Sequence, residues 1–492
     1  MFLRALFAVK LLKERTTQRV TINAEWNDLM KLYVTEIAKY VIALLLFLYT
    51  ADSFWALTKP YESDRKIIYT RQIFCMFGVQ LSCFIQILAR TGKVAYLFFF
   101  LFQIVVFASV IMLFYVIYPD ANKLVVNNMC MLLMIGIIML TRLSYEKAIR
   151  QFIVIAISFV IGFFIPELIF RLNVLKRYTW IFAAVGITAI GIVLILGKTV
   201  NGSKITYKIA GITFQPSEFT KILFLFFMAG ALYKAKDIMT LAKVAAVAGV
   251  HVIILVLSKD LGSALLFFIV FLALVYIATN NIGYLFMGLG FGALASVIAY
   301  GLFSHIQVRV KAWLDPFGNI EQAGYQLSQS LFGISSGGAF GLGLYGGAPQ
   351  SIPFVEQDFI FSAIAEELGI VFAVIMTLIC LSTFMHIMYE GYTIRDRYYR
   401  LISCGIGVAY IFQTFLTIGG GSRFIPLTGV TLPLVSYGGT SVMVSVIMMM
   451  IFEGICLIRN FEEAEDEIRR DRERDTRDYY YNERNERYEE DY

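Results

Sequence analysis

Residues 94–118 read "VAYLFFFLFQIVVFASVIMLFYVIY", twenty-five positions without a charge. A hydrocarbon core about 30 Å thick is crossed by roughly 20 apolar helical residues, and a soluble domain has nowhere to bury so long a run. Thirteen such segments recur, at about 36–57, 67–88, 94–118, 124–141, 149–170, 178–197, 219–233, 238–257, 261–279, 283–303, 359–389, 400–418 and 437–458. In lipid, backbone groups must be satisfied within a helix or a closed barrel, and the two-residue alternation of a membrane barrel is absent. The sequence therefore predicts an all-α polytopic membrane protein, in keeping with a chain that is 59% hydrophobic.

The total charge of +6 is unevenly spread: residues 461–492 hold 14 acidic side chains and 7 arginines, a net −7 that leaves +13 on the remainder. A cationic body suits anionic lipid and positive cytoplasmic loops; nothing points to nucleic acid. The polar stretch 459–492 cannot bury a core and is predicted to be a charged cytoplasmic tail, disordered or a loose helix. At the other end, "MFLRALFAVKLLKER" lacks a small-residue cleavage site, so 1–32 reads as a basic amphipathic helix on the membrane surface. The six cysteines lie in apolar stretches without metal-like spacing and read as packing residues.

Short basic loops face the cytoplasm. "RLNVLKR" (171–177), "YKAKD" (233–237) and "RDRYYR" (395–400) meet that test and fall on one side, together with the tail. The opposite, outer side then collects 197–218, 258–262, the long loop 304–358 and 419–439. These are Gly- and Pro-bearing stretches whose irregular backbone must be buried in protein or line a wet cavity. A site is expected there. Thirteen crossings would put residues 1–32 outside, yet Arg4, Lys10, Lys13, Arg15 and Arg19 argue for inside; either one early segment does not span or the charge rule is broken.

Several constellations carry chemistry. In "LSKDLGSALLFF" (257–268), Lys259 and Asp260 stand between greasy runs, where an ionised side chain is costly and usually has a task. They read as a structural ion pair or as a base with a cation beside it; burial would raise the aspartate's pKa and the lysine would lower it. "QPSEFTK" (215–221) opens a helix, with Pro216 in its first turn and Ser217 or Glu218 at its N-terminus. Glu218 and Lys221 share a face, as a local ion pair or as a charged lining of a cavity. "GISSGGAFGLGLYGG" (333–347) fits G-x-G-x-x-G at Gly341, Gly343 and Gly346, but without a βαβ unit or a Walker lysine nucleotide binding is rejected. Glycine there permits close backbone approach or a mobile loop. Asp358, Ser362 and Glu366 run along one helix face, either as a solvated helix entry or as a site. Arg423 and Ser436 flank the last outer loop, and His251, His305 and His386 are scattered without ligand spacing.

Taken together, "GITFQPSEFTK", "DLGSAL", "GYQLSQSLFGISSGG", "DFIFSAIAEELG" and "PLTGVTLPLVSYGGTS" resemble, in order and rough spacing, the SEDS family (shape, elongation, division and sporulation), which includes FtsW, RodA and SpoVE. The resemblance runs over about 124–458. It implies a ten-helix catalytic core with the large outer loop 304–358, preceded by about three extra transmembrane segments in 33–123. It further implies a bacterial peptidoglycan glycosyltransferase that polymerises lipid II into glycan strands outside the cytoplasmic membrane, beside a class B penicillin-binding protein. The family's essential aspartate falls on Asp260, its paired charges on Glu218 and Lys221, and its G-Y-Q-x-x-Q-S stretch on Gly324, Tyr325, Gln326, Gln329 and Ser330. Asp260 is then expected to deprotonate the attacking sugar hydroxyl. Lys259, Arg309, Lys221 or Arg423, or a divalent cation such as Mg or Mn, would meet the charge on the leaving diphosphate.

The chain departs from the family pattern at several points. Lys259 stands where a proline is usual. Ile205 and Thr206 replace a basic-Trp pair, although Lys204 remains, and Leu342 replaces a lysine. "PFVEQDF" lacks the family's glutamate and histidine, for which Glu356 is the candidate substitute. Two rival functions follow: a lipid II flippase, for which broken helices and charges at the midplane also suit, and a weakly active scaffold for the transpeptidase.

Overall fold

The computed structural model describes residues 2–59, 62–172, 174–200, 203–209, 212–235 and 237–490. Three helices come first: α1 (Phe2–Thr58), α2 (Glu62–Thr91) and α3 (Val94–Ile117). Ten long helices follow: α4 (Lys123–Leu143), α5 (Tyr145–Phe163) continued by α6 (Ile165–Arg171), α7 (Thr179–Leu196), α8 (Pro216–Leu232), α9 (Ile238–Leu257), α10 (Leu261–Thr279), α11 (Ile282–Leu302), α15 (Ile370–Thr393), α16 (Arg397–Gly421) and α17 (Gly439–Glu490). The shorter α12 (Ser304–Leu314), α13 (Tyr325–Gly337) and α14 (Ile360–Glu367) lie within the long connection between α11 and α15.

Twelve helices among the described residues are long and apolar enough to cross a membrane. The thirteenth expected segment, 219–233, is α8. Its 17 residues reach only about 25 Å, and it is buried along most of its length, including at Glu218 and Lys221. The expected single segment 359–389 is divided between α14 and α15. Gly369 breaks it at φ +94°, and a Cβ there would sit 2.4 Å from the Ala339 carbonyl oxygen. Within the stretch 197–218, expected to be irregular, the described residues include three antiparallel strands, β1 (Lys198–Val200), β2 (Ser203–Ile209) and β3 (Ile212–Phe214), with Tyr207 opposite Phe214. Lys204, Ile205 and Thr206 have side chains outside those described.

Of the two readings of the tail, residues 459–490 take the helical one, continuing α17. Helix propagation from a formed turn needs no new nucleus, and charges at helical spacing support it, with Arg469 3.2 Å from Glu473 and Arg474 3.7 Å from Asp471. The N-terminal stretch is likewise continuous with the first membrane helix; the amphipathic face expected of 1–32 falls mostly on side chains outside those described. All three N-terminal segments are full-length helices, and α1 enters the bundle from the end that holds the loops 304–358 and 422–438: Lys39 donates to the Gly341 carbonyl at 3.3 Å.

The extra helices are built into the core. They cover α4, whose membrane-spanning window is completely buried. An all-apolar contact between α1 and α4 would leave helix rotation weakly specified, and here polar groups fix it. Asn128 accepts from Tyr49 Oη at 2.9 Å and Ser53 Oγ at 3.3 Å, and donates to Ser382 and Thr383 of α15, each at 3.1 Å. Gln72 of α2 donates to Ser53 at 2.9 Å and accepts from Asn127 at 3.3 Å. In lipid such bonds are each worth about 1 kcal/mol. The six cysteines are buried and free, as packing residues. We expect Asn128→Leu to leave its partners unsatisfied and to lower unfolding stability by about 1–3 kcal/mol, read as a lower melting temperature in detergent; an unchanged melting temperature would show that the network does not hold α1 to the core.

Candidate functional site

The end of α9 and the start of α10 set the central side chain. Lys259 N–H donates to the Val256 carbonyl at 3.0 Å and Asp260 N–H to that of Leu255 at 2.9 Å. These two bonds make a Schellman cap with Lys259 in its left-handed position, at φ +63°. Glycine is the usual occupant, and a residue with a Cβ pays about 1–2 kcal/mol there. The next residue, Asp260, caps α10. One carboxylate oxygen accepts from Ser263 N–H at 3.2 Å, the other from Ser217 Oγ at 3.0 Å. Gln215 Nε2 donates to Ser217 Oγ at 3.1 Å, so the serine proton is directed at the carboxylate. Asp260 is buried while Lys259 is exposed: neighbours in sequence, they stand in different surroundings.

A loop crosses directly over this carboxylate. A Cβ on Gly262 would lie 2.3 Å from Val430 Cγ1 and 3.2 Å from the Thr428 carbonyl oxygen, so glycine is required for the 428–430 backbone to pass. Arg309 of α12 ties the same loop, its Nη1 donating to the carbonyls of Leu427 at 3.0 Å and Thr428 at 2.9 Å. At Gly429, φ +80°, a Cβ would be 3.8 Å from both Arg309 Nη2 and Asp358 Oδ2. Arg309, Asp358 and the loop therefore converge beside Asp260.

The electrostatics follow from burial. Desolvation lifts the Asp260 carboxyl above the ordinary carboxylate range; hydrogen bonds from Ser263 and Ser217 oppose the rise and the Glu218 charge adds to it. Burial pushes Asp358 up to about 7 against the pull of Arg309. Burial lowers Arg309, and the charges of Asp358 and Asp260 hold it up. A carboxylate whose pKa is raised is, when ionised, more basic than one in water.

Most other expected site residues build the frame. Lys221, expected among the cations meeting a leaving group, is buried and donates to Glu218 at 2.9 Å and Gln413 at 2.6 Å; Gln413 in turn donates to the Thr431 carbonyl at 3.0 Å. Of the two readings of Glu218 and Lys221, the structure shows the ion pair, set beneath Asp260 and pinning the loop. Arg423 caps α12 by donating to the carbonyls of Trp313 at 3.0 Å and Leu314 at 2.8 Å. Ser436 accepts from Leu432 N–H at 2.9 Å and donates to the Gln357 carbonyl at 2.5 Å. Ser330 bonds Ser362 at 2.6 Å and the Gly421 carbonyl at 2.7 Å. Gln326 and Gln329 are half-buried on α13. Glu356 pairs with Lys147. Glu366 is no solvated helix entry: it is buried and accepts from Ala348 N–H at 2.7 Å.

The glycine-rich stretch wraps α14. Leu342 and Gly343 N–H donate to the carbonyls of Glu366 and Glu367 at 3.0 and 2.8 Å, and a Cβ on Gly341 would lie 2.3 Å from the Glu367 carbonyl oxygen. Sequence reasoning missed the anchoring role of Ser217, the Arg142–Glu367 pair at 2.8 Å and the placement of His305 and Thr428 at the site. Among the described residues no three His, Cys, Asp or Glu side chains converge, and the charge of Arg309 bears on both Asp260 and Asp358.

Because Lys259 sits where glycine is favoured, Lys259→Gly should raise unfolding stability by about 1 kcal/mol. A raised melting temperature in detergent is expected; an unchanged or lowered one would show that the cap is not strained.

The model of the FtsW, RodA and SpoVE family, described as cell cycle proteins, matches residues 122–460. The chain is 34% identical over 300 residues to the peptidoglycan glycosyltransferase RodA of Mycobacterium tuberculosis, which covers 57% of this chain. The match spans 64% of that relative's length. It is 31% identical over 356 residues to a probable peptidoglycan glycosyltransferase FtsW of Pseudoalteromonas translucida, covering 68% of this chain and 88% of that one. Among solved structures it shares its fold with a chain of a peptidoglycan synthase complex that coordinates polymerization and crosslinking (TM-score 0.60, 23% identity, 69% of this chain and 98% of that one). The rod shape determining protein RodA of Thermus thermophilus shares the fold too (TM-score 0.54, 20% identity, 69% and 97%). With the match extending over all ten core helices and the loops that frame Asp260, this chain belongs to the FtsW/RodA/SpoVE family.

Proposed function

We propose that this protein is a peptidoglycan polymerase that joins lipid II disaccharides into glycan strands at the end of the bundle where Asp260 lies. The observation that carries this reading is the buried Asp260 carboxylate, held by Ser217 and Ser263 and roofed by the 427–431 loop. The 4-hydroxyl of one sugar attacks the anomeric carbon of another. Its proton passes to Asp260 as the new C–O bond forms. The bond from the anomeric carbon to the diphosphate oxygen breaks with inversion, and undecaprenyl diphosphate leaves with the electron pair. One base suffices, since no covalent intermediate is needed. Asp358 and Arg309 flank the reacting groups, and no step is routed through a metal.

The site end is the outer face of the bacterial cytoplasmic membrane in this reading, and the end of α17 is cytoplasmic. The basic residues support it: Lys176, Arg177, Lys234 and Arg395 lie in the connections at the end away from Asp260, and Arg171, Arg397 and Arg400 at the helix ends beside them. The names of the relatives support the activity, and the crosslinking complex whose fold the chain shares supports a class B penicillin-binding protein as partner. The role served is cell shape or division.

Purified protein supplied with labelled lipid II should make glycan strands, and Asp260→Asn, similar in shape but unable to take the proton, should slow them by about 100-fold or more. Near-normal synthesis by Asp260→Asn would end the assignment of the base. Translocation of lipid II across vesicles without strand synthesis would replace the polymerase by a flippase.

A further inference from the structure

We propose that the pocket at the root of the tail helix is a docking point for an arginine on the basic surface of a cytoplasmic protein. The pocket, about 360 Å³, opens between the start of the tail in α17 and the turn from α15 to α16. Its walls carry Arg395, Arg459 and Arg470 together with Glu462, Glu463 and Glu467. The tail is fastened to the bundle around it. Asn460 donates to the Asp120 carbonyl at 2.7 Å, Phe461 meets Phe170 with ring centroids 5.6 Å apart, and Asp466 pairs with Arg395. Walls held in this way need little reordering when a ligand enters.

The balance of charge selects the ligand. Two of the guanidiniums are already committed: Arg459 pairs with the buried Glu390, and Arg395 with Asp466. Lys176, from the neighbouring connection, pairs with Asp396. On the acidic side, Glu462 Oε2 is buried and has no hydrogen-bond partner. A second such atom is the hydroxyl of Tyr399, a residue 2% exposed, on which the charges of Asp396 and Glu462 bear. Buried polar atoms are nearly always bonded, and one that is not calls for an explanation. A carboxylate only accepts, and a phenol oxygen can accept as well as donate. A cation with several N–H donors satisfies both atoms, and guanidinium is such a cation.

The rest of the tail favours a protein over a small cation. From Arg459, α17 runs on to Glu490, about 45 Å of helix. Residues 461–492 carry 14 acidic side chains against 7 arginines. A partner that seats one arginine in the pocket lays further basic side chains along this helix, and the same field steers its approach. One anchor in a fixed pocket, with diffuse charge around it, is how binding energy is commonly divided at an interface. The orientation proposed above enters only in placing the partner in the cytoplasm; binding itself is measured without strand synthesis.

The test uses the full chain in detergent and titrates a fluorescent hexapeptide of alternating alanine and arginine. A hexapeptide of alternating alanine and glutamate and the polyamine spermidine are the comparison ligands. Two double variants remove the same charge from the tail: Glu462→Gln with Glu467→Gln at the pocket, and Glu486→Gln with Glu490→Gln near the end of the helix. Wild type should bind the arginine peptide and not the glutamate peptide. The pocket pair should weaken binding by about tenfold or more, the distal pair by no more than about twofold. Tyr399→Phe, which keeps the ring and removes the hydroxyl, should weaken it by several-fold. Absence of binding by wild type, or equal weakening by the two pairs, would overturn the pocket and leave at most diffuse attraction to an acidic helix. Spermidine binding as tightly as the arginine peptide would overturn the protein partner and make the place a polyamine site.

Discussion

Burying one carboxylate at the end of a membrane bundle constrains the whole site. An unbonded buried charge is not tolerated, so donors must reach Asp260 from elements that are distant in sequence. Ser217 comes from the first turn of α8, Ser263 from the first turn of α10. Each is available only because a helix starts there, and the unfilled N–H groups of that first turn make the place favourable for negative charge. The ion pair of Glu218 and Lys221 holds α8 to α16 through Gln413, and Gln413 holds the roof loop at Thr431. Gly262 then lets that loop come down on the carboxylate. Removing a serine donor makes the carboxylate more basic, whereas opening the roof lets in water and makes it less so.

The three N-terminal helices reach the same end of the molecule. Besides the buried polar seam around Asn128, α1 and α2 touch the glycine-rich stretch: Lys39 donates to the Gly341 carbonyl and Gln86 accepts from Leu344 N–H at 3.3 Å. That stretch is bonded to the last turn of α14 through Glu366 and Glu367, and Asp358 lies just before α14. A run of contacts therefore connects the added helices to the residues around Asp260.

How much of this was legible in the sequence depended on which physical signal carried it. The membrane helices were plain because twenty apolar residues have few other fates; their division into ten core helices with three in front came from the family resemblance. Asp260 was legible as a costly charge between two apolar runs. The break at Gly369 was hidden because 359–389 is apolar throughout, and only the close approach of Ala339 enforces it. The strands after α7 were hidden because runs of three and seven residues carry almost no periodicity. Arg423, Ser330 and Ser436 looked like site residues by type, yet each is spent on a backbone carbonyl; a sequence cannot show which carbonyls a fold leaves unpaired. His305 looked scattered for the converse reason, since only the packing of α12 brings it to Lys259. Composition left the tail open between disorder and helix, and the helical spacing of its charges goes with the second.

The central claim is that Asp260 acts as a base whose ionisation is held by its two serine donors. The pH dependence of kcat/KM for lipid II tests it most directly. A base works when deprotonated, so activity falls as pH drops through its folded pKa, and burial sets that limb above the ordinary carboxylate range. The Ser217 hydrogen bond favours the carboxylate, so Ser217→Ala should move the acid limb to higher pH while synthesis at high pH is largely retained. An acid limb that stays in place, or moves down, would contradict the account.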